Sequence, residues 1–305
     1  MQHGQWLTNA VYFVIAGGDT VKFERYSDFD DFAKDTYEVL SENEVQNNLL
    51  LSFIESKTAD RANWISAAVK DNSGEVVLTA VCTPPYNIVM YETGNKPNDA
   101  AVKLLADELR NSGESLPGVL AEEGLAGRFA EAYGGKGRFV KHMSMNIMRL
   151  DKVNDIELAS GSLRTMREED MFFVPYWERA FSVDCNVEVF DIPTTAEKVR
   201  KRIGKDIHFI WEDGHPVSQA AHARNTQNGA VINSVYTPPF YRNKGYASSV
   251  VAMLSQRLLQ QNYKFCCLFA DTSNPVSCGI YRKIGFFDVC VFGEVRFLSR
   301  HGATR

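Results

Sequence analysis

Residues Val81-Cys-Thr-Pro-Pro-Tyr86 return as Val235-Tyr-Thr-Pro-Pro-Phe240, 154 positions later and with four identities. In a chain of 305 residues this is a repeat of about half the length, and each copy must then bury a core of its own. The surroundings repeat as well. Ahead of the first copy, Trp64 to Val69 reads as a strand, Asp71-Asn-Ser-Gly74 as a turn and Glu75 to Cys82 as a second strand. Ahead of the second, His208 to Trp211, Glu212-Asp-Gly214 and Pro216 to Ala223 take the same parts. Helix-like stretches follow each, Asp99 to Leu109 and Lys244 to Gln260. We expect two copies of one unit, residues 1–155 and 156–305, divided in the polar segment Lys152 to Ser160 after the alternating strand Met143 to Leu150.

The second half reads as a strand (Ser162 to Arg167), two helices (Glu168 to Phe181, Thr195 to Ile203) and strands near 207–212, 216–224 and 230–237. A long helix, a strand (Phe265 to Ala270), a short helix (Pro275 to Ile284) and a strand pair (Phe287 to Val291, Glu294 to Leu298) complete it. This order predicts an α+β fold, a mostly antiparallel mixed sheet flanked by helices.

Composition narrows the function. With 45% hydrophobic and 23% charged residues, the chain is of ordinary globular type. A net charge of −5 argues against a nucleic-acid binder that neutralises phosphates, and suits a cationic small molecule or a basic peptide. Cys82, Cys185, Cys266, Cys267, Cys278 and Cys290 form no Cys-x-x-Cys pair and have no histidine at zinc-site spacing, so reduced thiols, a cytoplasmic location and no metal are expected. The apolar stretch Asn9 to Ile15, followed by Gly17-Gly18, is too short to span a bilayer, and no membrane segment is expected.

In the second copy, Pro238 and Pro239 end a strand, and Arg242-Asn-Lys-Gly-Tyr-Ala247 leads into a helix with Ala247, Val250, Val251, Leu254 and Leu258 on one face. A glycine at a helix start, with unpaired N–H groups around it, makes an anion site suited to a pyrophosphate. Downstream, Asn274-Pro275 has N-cap and first-turn chemistry, and Gly285 ends that helix after Ser277, Cys278, Ile280, Tyr281 and Ile284. The two blocks resemble those of the GNAT superfamily of N-acetyltransferases, Arg242, Gly245 and Ala247 standing at the positions of its phosphate-loop signature. The predicted architecture is thus two tandem acyl-CoA N-acyltransferase (GNAT-like) domains, similar in arrangement to mycothiol synthases.

The resemblance implies an acetyl-CoA co-substrate and a primary amine acceptor of a small molecule or peptide. Val235 and Thr237, with Tyr236 between them, would meet the pantetheine arm through backbone groups. Arg242, Asn243, Lys244, Gly245, Tyr246, Ala247 and Ser248 would hold the pyrophosphate, and Asn274 and Ser277 the far side of the arm. Tyr281 would be the general acid. A tyrosine, with a reference pKa of about 10, stays protonated at neutral pH and can protonate a departing thiolate, while a backbone N–H such as that of Val235 stabilises the oxyanion. Asn233 and Ser234 offer no carboxylate on the strand before the loop; His222 and Asp271 are considered as bases and neither is assigned. With the same offset of 154, Ile88, Tyr91 and Thr93 match Arg242, Gly245 and Ala247, and Gly118 to Gly134 reads as a helix with Tyr133 in its core. The first copy therefore reads as degenerate, without a cofactor motif. A non-catalytic acyl-CoA sensor, or transfer of another acyl group, are the alternatives.

Overall fold

The computed structural model describes residues 11–14, 20–56, 61–94 and 96–298. Gly17-Gly18 and the ends of the apolar stretch Asn9 to Ile15 lie outside the described residues. The chain packs as two compact units, Met1–Met145 with Cys290–Arg305, and Asn146–Val289. The strand after Val289 thus belongs to the first unit, whereas the sequence places it in the second domain.

The first unit contains β1 (Val11–Val14), β2 (Thr20–Tyr26), α1 (Phe29–Ser41), α2 (Asn48–Glu55), β3 (Ile65–Lys70), β4 (Val76–Cys82), β5 (Ile88–Glu92), α3 (Asp99–Asn111), β6 (Gly118–Glu122) and α4 (Glu123–Gly134). Strand β7 (Phe139–Leu150) begins in this unit and ends in the other. Antiparallel pairing runs from β1 through β5, β5 and β6 pair in parallel, and β6 is closed by β13 (Phe287–Phe297) through Phe292↔Glu122 to Arg296↔Gly118. Alternation along β5 builds both faces: Ile88 and Met90 join a core with α3 and α4, and Val89 and Tyr91 join one with α1 and α2. Val295 lies in the first of these cores, and Phe297 packs on it, 5.0 Å from the Tyr133 ring.

The second unit contains β8 (Ser162–Thr165), α5 (Val174–Asp184), α6 (Ile192–Arg200), β9 (His208–Glu212), β10 (Pro216–Asn225), β11 (Gly229–Tyr236), α7 (Tyr246–Gln260), β12 (Phe265–Asp271) and α8 (Pro275–Ile284). Its strands lie in the order β7-β12-β11-β10-β9-β8, with β11–β12 parallel and the pairs from β11 to β8 antiparallel. Phe209 and Trp211 of β9 face the core made with α7 and α8, and Ile210 faces the one with Met166, Val174 and Val199. Each unit is a mixed sheet between helices, as predicted.

Several details differ from the sequence reading. The helix expected over 168–181 is a 3-10 turn, Glu168–Phe172, followed by α5, because Pro175 is accommodated only in the first turn of a new helix. Gly118 to Gly134 divides into β6 and α4. The final strand pair is one continuous strand, β13, since Gly293 continues the ladder opposite Ala121 and makes no turn.

The register of the repeat also needs correction. Thr83-Pro84-Pro85 lies in the hairpin between β4 and β5, whereas Thr237-Pro238-Pro239 lies between β11 and α7. By order of elements, β5 matches β11 and α3 matches α7. Ile88 and Tyr91 are therefore strand residues, and the counterpart of the loop at Arg242 to Gly245 is the segment between Glu92 and Asp99. Both halves do share one plan; the local match that first revealed it joins unlike positions.

Candidate functional site

The site is built where β11 and β12 separate. They pair in parallel at Gly229↔Phe265, Ala230↔Cys266 and Val231↔Cys267, and no pair follows, so the ends of the two strands diverge. On its other side β11 carries a bulge: two steps along β10, Gln219 to Ala221, face three along β11, Tyr236 to Asn233. Ser234 in this bulge has φ 51°, a left-handed conformation that redirects the backbone groups around it.

Beyond β11 the chain turns through Pro239–Tyr241 and reaches α7 by way of Asn243 (φ 63°) and Gly245 (φ 82°). At Gly245 the demand is for the backbone angle, because a Cβ there would have room, 3.6 Å from Ala159 Cβ. No side chain caps α7. Its first intrahelical donor is Ser249, whose N–H bonds Gly245 O at 3.0 Å, which leaves the N–H groups of Tyr246, Ala247 and Ser248 directed out of the helix end. The chemistry of such a terminus suits an anion.

The surrounding side chains brace the loop. Arg242 donates from Nε to Thr237 O (2.9 Å) and pairs with Asp184 (2.7 Å), so its guanidinium ties the loop to the strand before it and to α5. Thr237 Oγ1 is 2.8 Å from Ser218 Oγ. The Tyr236 side chain is buried, its ring 5.8 Å from the Arg242 guanidinium. Lys244 lies over Phe240 and Tyr241, and the buried Tyr246 donates its hydroxyl to Asp213 (2.6 Å), fixing the start of α7 to the β9–β10 turn.

Across the opening, Asn274 Oδ1 accepts the Ser277 N–H (3.1 Å) and caps α8. Tyr281, on that helix, is 9% exposed and packs edge-on to Phe286 in the cluster that also holds Tyr246, Cys278 and, at its margin, Val235. Its hydroxyl has no hydrogen-bond partner among the described residues. Burial first, and then the neighbouring Cys185 and Cys278, hold its ionisation well above the usual tyrosine range. Of the bases considered, Asp271 accepts the Ser273 N–H (2.8 Å) in the turn before α8, and His222 lies on β10 against Tyr263, its ionisation lowered by burial.

One cluster escaped the sequence reading. Glu178 of α5, 8% exposed, accepts from Gln219 Nε2 (2.8 Å) and from the Ser234 hydroxyl (3.3 Å), and pairs with Arg202 (3.0 Å). Behind it His208 is fully buried between Arg202 and Gln219, and burial pushes its pKa down to about 4. A carboxylate is thus bonded to the bulge residue itself, but from a distant helix. In the sequence it is one of three glutamates in the segment Glu168 to Phe181, and nothing local marks it.

In the first unit the equivalent helix end is closed. Asn98 Oδ1 caps α3 at the Ala101 N–H (3.0 Å), and the Asn98 N–H is taken by Glu92 Oε1 (2.7 Å). Glu92 in turn forks with Arg128. A side-chain cap and a carboxylate stand here where the second unit has an open glycine terminus.

Residues 213–292 match the family model described as FR47-like protein. No curated protein sequence matches the chain. Among solved structures, an acetyltransferase from the GNAT family of Colwellia psychrerythraea is similar with a TM-score of 0.58 at 10% identity, over 90% of this chain and 99% of that one. A GCN5-related N-acetyltransferase from Sphaerobacter thermophilus gives 0.59 at 14% identity, over 90% and 95%. A tandem GNAT protein from the clavulanic acid biosynthesis pathway gives 0.53 at 16% identity, over 90% and 98%. The fold is that of a tandem GNAT protein. Among the described residues no helix is long and apolar enough to cross a membrane, and no cluster of three or more His, Cys, Asp or Glu could hold a metal ion.

Proposed function

We propose that this tandem GNAT-fold protein is an N-acetyltransferase whose second unit moves the acetyl group of acetyl-CoA to a primary amine of a small molecule or peptide. The observation that carries the reading is the uncapped start of α7 behind Gly245, at the opening between β11 and β12, set against the capped start of α3 in the first unit. N–H groups of Tyr246, Ala247 and Ser248 would hold the pyrophosphate, with Arg242 and Asn243 shaping the loop and Lys244 adding positive charge. Val235, Tyr236 and Thr237 would flank the pantetheine arm on one side, Asn274 and Ser277 on the other.

In the reaction, the neutral amine attacks the thioester carbonyl, and the backbone N–H groups around the Ser234 bulge, that of Val235 foremost, receive the oxyanion. Collapse breaks the carbon–sulfur bond, and Tyr281 protonates the departing thiolate. The proton lost by the amine restores the phenol through solvent, so the products are the amide and free CoA. Burial keeps this hydroxyl protonated and no hydrogen bond must break before it donates, although the same burial makes it a weaker acid than a free tyrosine.

Calorimetric titration with acetyl-CoA, comparing wild type with Gly245→Glu, tests the cofactor assignment. A carboxylate at the loop should abolish binding, and equal affinity in the two would end the reading. Thiol release across a panel of amines tests turnover. Tyr281→Phe should lower kcat by about 10²–10⁴-fold with acetyl-CoA affinity unchanged. Tight binding of acetyl-CoA with no thiol release from any amine would instead favour an acyl-CoA sensor, and release only with longer acyl-CoA esters would favour a different acyl group.

A further inference from the structure

The first unit holds a cavity of about 510 Å³ where its own parallel pair opens. Strands β5 and β6 pair only at Ile88↔Val119 and Val89↔Leu120, and the cavity begins at the next residue, Met90. Its volume falls within the range of roughly 300–1,000 Å³ typical of small-molecule sites. By order of elements it occupies the place that the opening between β11 and β12 occupies in the second unit, yet its chemistry is reversed.

Both helix ends that border it are closed by the protein. Asn98 and Glu92 take the N–H groups at the start of α3, and Glu122 Oε2 takes those of Gly124 (2.9 Å) and Leu125 (3.1 Å) at the start of α4. A pyrophosphate here would meet carboxylates where it needs donors. The charges that remain are informative. Arg128 is consumed by Glu92 and Asp99, whereas Glu42 and Glu122, both in the lining, have no cationic partner among the described residues. Lys96 lines the exposed rim, and Met90, Tyr91 and Leu125 border the cavity while their side chains are buried in the cores on the two faces of the sheet. Gln46 adds an amide with no partner among the described residues.

We propose that this cavity binds a small organic molecule bearing a protonated primary amine and no phosphate, its ammonium group between Glu42 and Glu122. The ammonium would meet two carboxylates with no cationic side chain beside them among the described residues, Glu122 being held in place by the α4 N–H groups it caps. The assignment does not rest on the transferase reading of the second unit, and the first unit is then a ligand-binding module in its own right.

Calorimetry on the full chain tests it with 1,4-diaminobutane, L-lysine, succinate, 1,4-butanediol and CoA as probes. The variants are Glu42→Lys, an exposed position, and Gln46→Trp, which fills the cavity. Diaminobutane, lysine or both should bind the wild type, with affinity reduced at least about tenfold in each variant, the scale of one charged contact. Succinate and butanediol should not bind. CoA should show no difference between the wild type and the two variants. Lysine binding in preference to diaminobutane would place the ligand's carboxylate against Lys96; the reverse order would leave Lys96 outside the site. The proposal fails if neither amine binds at millimolar concentration, if both variants bind amines as the wild type does, or if CoA or succinate binding is lost in Gln46→Trp.

Discussion

Two buried ionisable side chains set opposite demands on pH. Tyr281, held above the ordinary tyrosine range by burial, keeps its proton as pH rises, so the proposed acid should impose no alkaline limb on kcat between about pH 8 and about pH 9.5. A limb in that window that persists in Tyr281→Phe would assign the proton donor elsewhere. His208 works in the other sense. Its folded pKa of about 4 lies below the ordinary 6.5, so above about pH 6.5 both folded and unfolded chains carry it neutral. As pH falls toward about 4 only the unfolded chain takes up the proton, and stability drops by up to about 3 kcal/mol. Urea midpoints at neutral and mildly acidic pH should show this loss in the wild type and a smaller one in His208→Gln. At this scale the sequence was uneven in what it disclosed. Gly245 and Tyr281 sit in local strings whose spacing is itself the signal. Glu178 does not, because its partners Ser234, Gln219 and Arg202 come from β11, β10 and the turn after α6 and meet only after folding.

Strand pairing decides where a ligand can enter. Three parallel pairs hold β11 to β12, and the first of them depends on Gly229, where an added Cβ would sit 2.1 Å from the Phe265 ring. Gly229→Ala should therefore force Phe265 or the strand aside at a cost of about 1–3 kcal/mol, visible as a lower melting temperature and weaker acetyl-CoA binding. An unchanged melting temperature would mean that the pair adjusts freely. Element types were largely readable because periodicity and caps are local: Asn274-Pro275 starts α8, as its residue types suggest, whereas α6 begins at Ile192 behind the Asp191 cap, three residues before the expected Thr195. Partner choice was not. Thr-Pro-Pro ends a strand equally well before a hairpin and before a helix, so the tripeptide identified a break without saying which break it was.

At the scale of the whole molecule, the chain interleaves its units. The first has its sheet closed by β13 and its core filled by Val295, with Phe297 packed against it, although both residues follow all of the second unit in sequence. A chain ending at Val289 should lose the first unit's cooperative melting transition while keeping acetyl-CoA binding in the second, and a synthetic peptide of residues 287–298 should restore the transition. Retention of the transition in the shortened chain would contradict the assignment of β13. No composition or motif announces such a return, since hydrophobic alternation marks a strand without naming the sheet it joins. The return also orders events on the ribosome. Domains ordinarily fold in the sequence in which they emerge, at about 5–20 residues per second. Here the first unit must wait, its β6 edge open to other chains, while residues 146–289 are made, a delay of roughly 7–30 s. Until its closing strand arrives that edge stays unpaired, and a translation stall anywhere in the second half would be felt first in the stability of the half already made.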